Sequence, residues 1–448
     1  MSELPPVYFN NDPDSFAYST ARVRWIKIIQ DAVDDVNATV EASTDAEVKS
    51  QGETISKKLA ILKEELLADA VVQPLAGDSK QFKSFNRALG DHGYTWLTGP
   101  WLMLENHLYR LINSFFIDKS RWFNYDIFHN LKKSSFESSV AGVTELALRY
   151  AQLTEQKEQK VIEEDVKALL FREFAEISLW GNATDLSLLA TATLDDIKSI
   201  QGADARKKSE DKILCNDIDK AYKQLKESKD AIKSVDFVLD NSGFELYTDL
   251  IFALFLIDFG ICQKVTLHTK DIPWMVSDVN IKDFGVVLSQ LKDTKVFPDH
   301  RREIDFFVDK VEYLYNTGVL TLETSPFWTL DQDFWGIDPS ETEFGGSQLH
   351  ERLLKSSLVV FKGDMNYRKL TADRRWPSTT PFTTALGPLA TSGIKLLSLR
   401  TVKADVLVGL PEGVYEQICE TWGKEDDNKL GWLYSGKYAV ISFSSGSA

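Results

Sequence analysis

The 448-residue chain is too long for one simple core, so two domains or one elaborated domain are expected. Its 43% hydrophobic content, with 26% charged residues and 11 Trp, excludes a disordered chain. A net charge of −16 repels nucleic acid and anionic membranes, so neither is an expected partner, and a phosphate substrate would need a site that locally reverses that sign.

In chain order, MSELPPVYFNNDPDSF at the start has no basic or apolar segment of the kind a signal peptide carries. Residues 21–40 repeat apolar side chains at three- and four-residue intervals (Val23, Ile26, Ile29, Val33, Val36), and 56–70 continue with Leu59, Ile61, Leu62, Leu66 and Leu67. Both predict amphipathic helices. The aromatic-rich stretch 96–128 has helical spacing and is expected as buried helices. Residues 204–234 are dense in Lys, Asp and Glu, which predicts one solvated helix bridging two halves. The expected division is a helical region over 1–200, a charged connecting helix over 201–233 and an α/β region over 234–448.

Beyond residue 234 the period changes. Val235–Asp240, Lys264–His268, Ser357–Phe361, Asp405–Leu410 and Tyr438–Phe443 are short apolar or β-branched runs of the type that forms strands buried on both faces. Helical patterns over Phe244–Phe259 and Ile281–Leu291 separate some of them. The fold class expected is α/β, with an N-terminal helical part and an α/β/α sandwich around a mostly parallel sheet. The longest apolar run, near Leu250–Phe259, is shorter than the ~20 residues a membrane span needs. Cys215, Cys262 and Cys419 are scattered, with no CxxC pair, so neither a disulfide framework nor a thiolate zinc site is expected. A cytosolic, reducing location follows, with the nucleus also open.

The chemistry concentrates at strand ends. In VDFVLDNSGFELYTDL (235–250) an apolar strand runs into Asp240, Asn241–Gly243 make a turn, and a helix follows. Ligands of open α/β sheets collect outside such strand ends, where a helix start also attracts anions. The alternative is that Asp240 or Asn241 merely caps the helix. Trp274–Val276 running into Ser277–Asp278 reads as a second strand–Asp–turn–helix unit. Two carboxylates and an amide oxygen make a hard donor set for Mg²⁺, Mn²⁺ or Co²⁺, with water and substrate completing the shell. Glu245 is a further candidate for the outer shell or the substrate. Lys362, Asp364, Asn366, Arg368 and Lys369 share one strand-end loop, and Arg400 and Lys403 precede another apolar run; such cations suit a phosphate, or else bridge the surface. No HExxH, GxSxG or GxxxxGK[ST] pattern occurs in the sequence.

Together these motifs resemble the metal-dependent damage-control phosphatases of subfamily III, also described as protein-glutamate carboxyl methyltransferases. The resemblance rests on PWLMLENHLYRLI (100–112), RWFNYDIFHNLKKSSF (121–136), LWGNATDLSLL (179–189), LDNSGFE (239–245), VSDV (276–279), KGDMNYRKLTADRRW (362–376) and the RTxK signature at Arg400, Thr401 and Lys403. It implies dependence on Co²⁺, Ni²⁺ or Mn²⁺ and hydrolysis of sugar phosphates such as fructose 1-phosphate. By it Asp240, Asn241 and Asp278 match metal ligands. Asp364, Asn366, Arg368 and Lys403 match the substrate neighbourhood, with Glu105 in the N-terminal motif. One departure is His107, where an aromatic such as tyrosine is expected. The mechanism expected is attack by Asp240 on phosphorus while Lys403 and Arg368 hold phosphate oxygens. The alternative is methyl transfer from S-adenosylmethionine, for which the sequence has no glycine-rich loop followed by a ribose-binding acid.

Overall fold

The computed structural model describes residues 3–181 and 211–447, so the part of the 179–189 motif after Gly181 and residues 201–210 of the expected connector lie outside the described residues. After a short helical lead-in over Phe16–Ser19 and Thr20–Arg24, seven longer helices come first: α1 (Trp25–Ala42), α2 (Ala46–Leu67), α3 (Lys80–Leu89), α4 (Trp101–Ser114), α5 (His129–Glu137), α6 (Val140–Gln159) and α7 (Glu164–Trp180). Their starts are set by local chemistry: Asp45, before α2, accepts N–H bonds from Glu47 and Val48, and Ser79 accepts one from Phe82 before α3. The expected helices over 21–40 and 56–70 are α1 and the second half of α2; within 96–128 only α4 is helical.

Then come β1 (Ile213–Asn216), α8 (Ile218–Glu227), β2 (Ser234–Val238), α9 (Phe244–Asp258), β3 (Lys264–Thr269), α10 (Ile281–Lys292), α11 (Arg301–Asn316), β4 (Leu320–Thr324), α12 (Gly346–Leu353), β5 (Leu358–Lys362), α13 (Gly363–Leu370), β6 (Leu396–Thr401), α14 (Val414–Trp422) and β7 (Ala439–Ser444), besides several short helical turns. The strands form one sheet in the order β1-β7-β6-β5-β2-β3-β4, parallel except between β6 and β7. Alternate residues enter opposite cores. Val238, Val359, Phe361 and Val440 join Trp25, Leu59 and Leu104 on one face, while Phe237, Val360, Leu397 and Ile441 join Phe174, Phe252 and Phe307 on the other. The result is an α/β/α sandwich whose sheet is covered on both faces. Buried from Glu245 to Leu256, α9 is enclosed by sheet and helices and is mostly apolar on every side, its Glu245 and Asp249 being paired with Lys362.

Three expectations are corrected. The charged stretch 211–234 is not one bridging helix: Ile213–Asn216 pair in parallel with β7, and an amphipathic α8 follows. Asp405–Leu410 is no strand; the strand is β6, just before it. The loop is buried because Arg400 donates to the carbonyls of Val406 and Ala404, while Val408 N–H reaches Tyr367 Oη. Trp274–Val276 is a turn, with Met275 and Val276 at φ 47° and 74°. Among the described residues no helix is long and apolar enough to cross a membrane.

Candidate active site

From β2 the chain steps to β3 and β4 on one side, then returns to β5 on the other and continues to β6 and β7. The direction therefore reverses between β2 and β5, the switch point outside whose carboxyl ends sheets of this kind have their ligand crevice. Asp240, after β2, and Gly363, after β5, meet there. Gly363 has φ 80°, and a Cβ on it would lie 1.9 Å from Asp240 Oδ2, so both backbone and space demand glycine.

Asp240 is 8% exposed. Its Oδ2 accepts from Asn241 Nδ2 at 2.7 Å, and the same nitrogen donates to Glu245 Oε2 at 2.8 Å. Glu245 Oε1 is held at 3.0 Å by Lys362 Nζ, which also donates to Asp249 Oδ1 and Ser178 O. Asp278 joins from a neighbouring loop: Asn241 and Asp278 form an isolated bridge, and Val279 N–H donates to Asp240 O at 2.8 Å. That loop is strained, since a β-branched residue such as Val276 disfavours positive φ; each such residue costs on the order of 1–3 kcal/mol.

Lys270, two residues past His268 of β3, donates to Leu239 O and lies 3.1 Å from Asp278 Oδ2. That ammonium is the one cationic partner of this buried oxygen, which finds no other donor among the described residues. The balance of charge is thus incomplete. Burial, then Glu245 and then Asp278 push the Asp240 carboxyl well above the usual carboxylate range, against the pull of Lys403 and Lys270. Asp278 is likewise raised by burial.

This is a donor set that a cation would suit: two crowded carboxylates, one buried oxygen met by a single ammonium, and an amide between them. Among the described residues no group of three or more His, Cys, Asp or Glu is arranged to hold a metal, so protein atoms alone make no cage. Asn241 turns its nitrogen toward the carboxylates and receives Ser277 Oγ on its oxygen; to serve as an oxygen ligand the amide must turn over, a half-rotation.

The other sequence candidates divide sharply. The Lys403 ammonium makes no hydrogen bond or ion pair among the described residues, and its field reaches Asp240. Asp364 accepts from Arg400 Nε at 2.8 Å and Lys403 N–H at 3.0 Å, which fixes the base of the Lys403 side chain. Asn366 ties its Nδ2 to Val238 O, Leu239 O and Lys362 O and so braces the two strand ends. Arg368 is not open to the crevice. Its Nε and Nη2 grip both oxygens of Asp373, its Nη1 donates to Glu105 Oε2 at 2.8 Å, and it stacks on Trp101. Glu105 Oε1 is taken by Trp25. Arg400 is wholly buried under the 404–406 loop. Lys369, lowered to about 7 by burial, holds Trp328 O and Leu330 O. His107 lies in the aromatic core against Phe85 and Trp96.

Reasoning on the sequence missed Lys270, Lys132, Asp249 and Gly363. Lys270 continues the alternation of β3, the one local signal available. A separate cleft of about 290 Å³ is lined by Lys80, His268, Glu323 and Arg352, away from Asp240; Arg352 there is already paired with Asp236 and Glu323.

A family model described as the damage-control phosphatase ARMT1-like domain matches residues 20–418. Damage-control phosphatase ARMT1 of Xenopus laevis is 32% identical over 447 residues, covering 96% of each chain. That of Bos taurus is 32% identical over 464 residues, covering 99% of each. Among solved structures, a DUF89 family protein from Pyrococcus horikoshii covers 86% of this chain and 92% of its own, at 12% identity and a TM-score of 0.35, too slight a likeness to argue from.

Proposed function

The chain belongs to the damage-control phosphatase ARMT1-like family, and from that premise we propose that it is a metal-dependent phosphatase hydrolysing small phosphate monoesters, sugar phosphates such as fructose 1-phosphate among them. Asp240, Asn241 and Asp278 would hold a divalent cation, Co²⁺, Ni²⁺ or Mn²⁺, with Mg²⁺ as the harder alternative. The observation that carries this reading is the surplus of buried carboxylate at the switch point, faced by one lysine with no partner among the described residues.

When bound, the cation supplies charge neutralisation and polarises a phosphate oxygen. The chain's own groups do the rest. Lys403, on a base fixed by Asp364, offers its ammonium to another phosphate oxygen. The amino end of α9 adds the positive end of a helix dipole. Arg368 supports this from behind: it anchors α13 to α4 through Glu105 rather than touching phosphate. Asp240 attacks phosphorus, the ester oxygen departs with the sugar as an alcohol, and water then cleaves the aspartyl-phosphate, so that ester and water become alcohol and phosphate.

The test is phosphate release from a panel of sugar phosphates and nucleotides with each divalent cation. Release at least tenfold above a chelator control is expected with Co²⁺, Ni²⁺ or Mn²⁺. No release from any ester with any metal overturns the reading. Acid-quenched protein should carry ³²P from labelled substrate at Asp240; label-free protein during turnover would assign the attack to water instead.

A further inference from the structure

A lysine from the helical half reaches the peptide that carries Asp278. Lys132, on α5, is 6% exposed, and its Nζ donates to Asp278 O at 3.0 Å, Asp126 Oδ2 at 3.0 Å and Asp283 Oδ2 at 2.9 Å. Asp283 is the reciprocal cap of α10, accepting from Asn280 N–H at 2.8 Å, and Asn280 Nδ2 donates to Asp126 Oδ2 at 2.8 Å. One ammonium therefore ties α5, the start of α10 and the 276–280 segment into a single buried knot. The two charges it faces explain its place between Asp126 and Asp283. They do not explain the third bond, to a main-chain carbonyl on a turn that the backbone disfavours.

That turn is where the bond matters. Met275 and Val276 sit at positive φ immediately before Ser277 and Asp278. Residues held there persist only when their surroundings over-determine them. The surroundings here are the main-chain bonds Lys270 N–H to Val279 O, Ser242 N–H to Ser277 O, Asp278 N–H to Trp274 O and Val279 N–H to Asp240 O, with Ser277 Oγ on Asn241, the Lys270 ammonium beside the Asp278 carboxylate, and Lys132. Lys270 meets the Asp278 carboxylate itself, whereas Lys132 is the side chain among these that holds Asp278's own main-chain carbonyl, and so the peptide from which that carboxylate projects.

We propose that Lys132 is a positioning residue for the cation: it holds the strained turn so that Asp278 meets the metal already aimed, and the helical half of the chain thereby sets metal affinity. This rests on the reading of Asp278 as a metal ligand. Preorganised ligands lose least on binding, and groups behind a ligand commonly alter metal affinity ten- to a hundredfold.

The experiment titrates Co²⁺ or Mn²⁺ alone, by calorimetry, into chelator-treated full-length protein and reads Kd beside Tm. Lys132→Met is expected to raise Kd at least tenfold, about 1.4 kcal/mol. Asp126→Asn removes a partner of Lys132 but spares its bond to the Asp278 carbonyl, so it should lower Tm while changing Kd less than threefold. Equal Kd in Lys132→Met and wild type overturns the inference alone, as does an equal rise in Asp126→Asn. Should Lys132→Met not fold, Lys132→Arg is read the same way, since it keeps the charge and moves the donor. A wild-type chain that takes up none of Co²⁺, Ni²⁺ or Mn²⁺ overturns the metal reading, and this inference with it.

Discussion

Two buried clusters of charge, both reached by α13 or the strand before it, end in opposite states. Around Arg368 each oxygen is taken: both of Asp373 and one of Glu105 by the guanidinium, the other of Glu105 by Trp25. Around Asp240 the bonding is sparser, with Asp278 Oδ2 met only by the Lys270 ammonium and the Asp240 carboxyl pushed up by burial and its neighbours. The first is scaffold, because a closed network has nothing left to offer a ligand. The second is the candidate site, because burial has been tolerated there with bonding capacity left over. Residue type alone does not tell them apart; unfilled bonding does.

The strongest way to break the contrast is at Arg368. Arg368→Leu strands two buried carboxylates and is expected to cost about 3–5 kcal/mol in urea unfolding. A cost below 1 kcal/mol would show that the cluster is not closed. His107 sharpens it by offering a buried polar group whose ring nitrogens find no side-chain partner. Burial lowers its pKa to about 4 from 6.5. The unfolded chain therefore binds the extra proton first, and stability falls as pH drops below about 6.5, by roughly 3 kcal/mol at pH 4 from this residue. Asp249 and Asp405, raised to about 6 by burial, work in the opposite sense over the acid range, so the measurement is the difference between wild type and His107→Phe. That variant should flatten the acid slope; parallel curves would refute the assignment. The smallest effect on stability is at the open cluster. Asp240→Asn should make the chelator-treated protein slightly more stable, because it removes a buried carboxyl crowded by Glu245 and Asp278. It should also abolish the rise in Tm on adding Co²⁺. A destabilised variant would mean that the cluster is complete without a cation.

The sequence made much of the fold legible. Runs ending at Asp240, His268, Phe361 and Phe443 locate β2, β3, β5 and β7 to within a residue or two, because strands buried on both faces are nearly continuous in apolar residues. It misled at 405–410, where an equally apolar run is tied down by Arg400 and Tyr367 instead of a neighbouring strand; no local pattern records that. β1 and β4 lie at the edges of the sheet, where LTLET is only partly buried and ILCN is set among charges. In the candidate site, the placement of Asp240, Asn241 and Glu245 was readable from strand, turn and helix. Asp278 was found through a strand that is a strained turn. Lys132 and Lys270 come from elements with no sequence link to the motif, so their roles exist only once the chain is folded. Arg368 looked like a phosphate cation because a sequence carries no sign of Asp373 and Glu105 closing around it.

The pairing of β1 with β7 has a consequence for how the molecule is made. Asp217, just past β1, bonds Phe443 across a separation of 226 residues. On the ribosome, β1 emerges long before the strand it needs, and β6 keeps one raw side until that same late strand arrives. Such distant pairings close slowly and leave edges open to other chains in the meantime. Nascent chains arrested before β7 should thus be the ones that chaperones hold or that aggregate, even with the Asp240 crevice already translated.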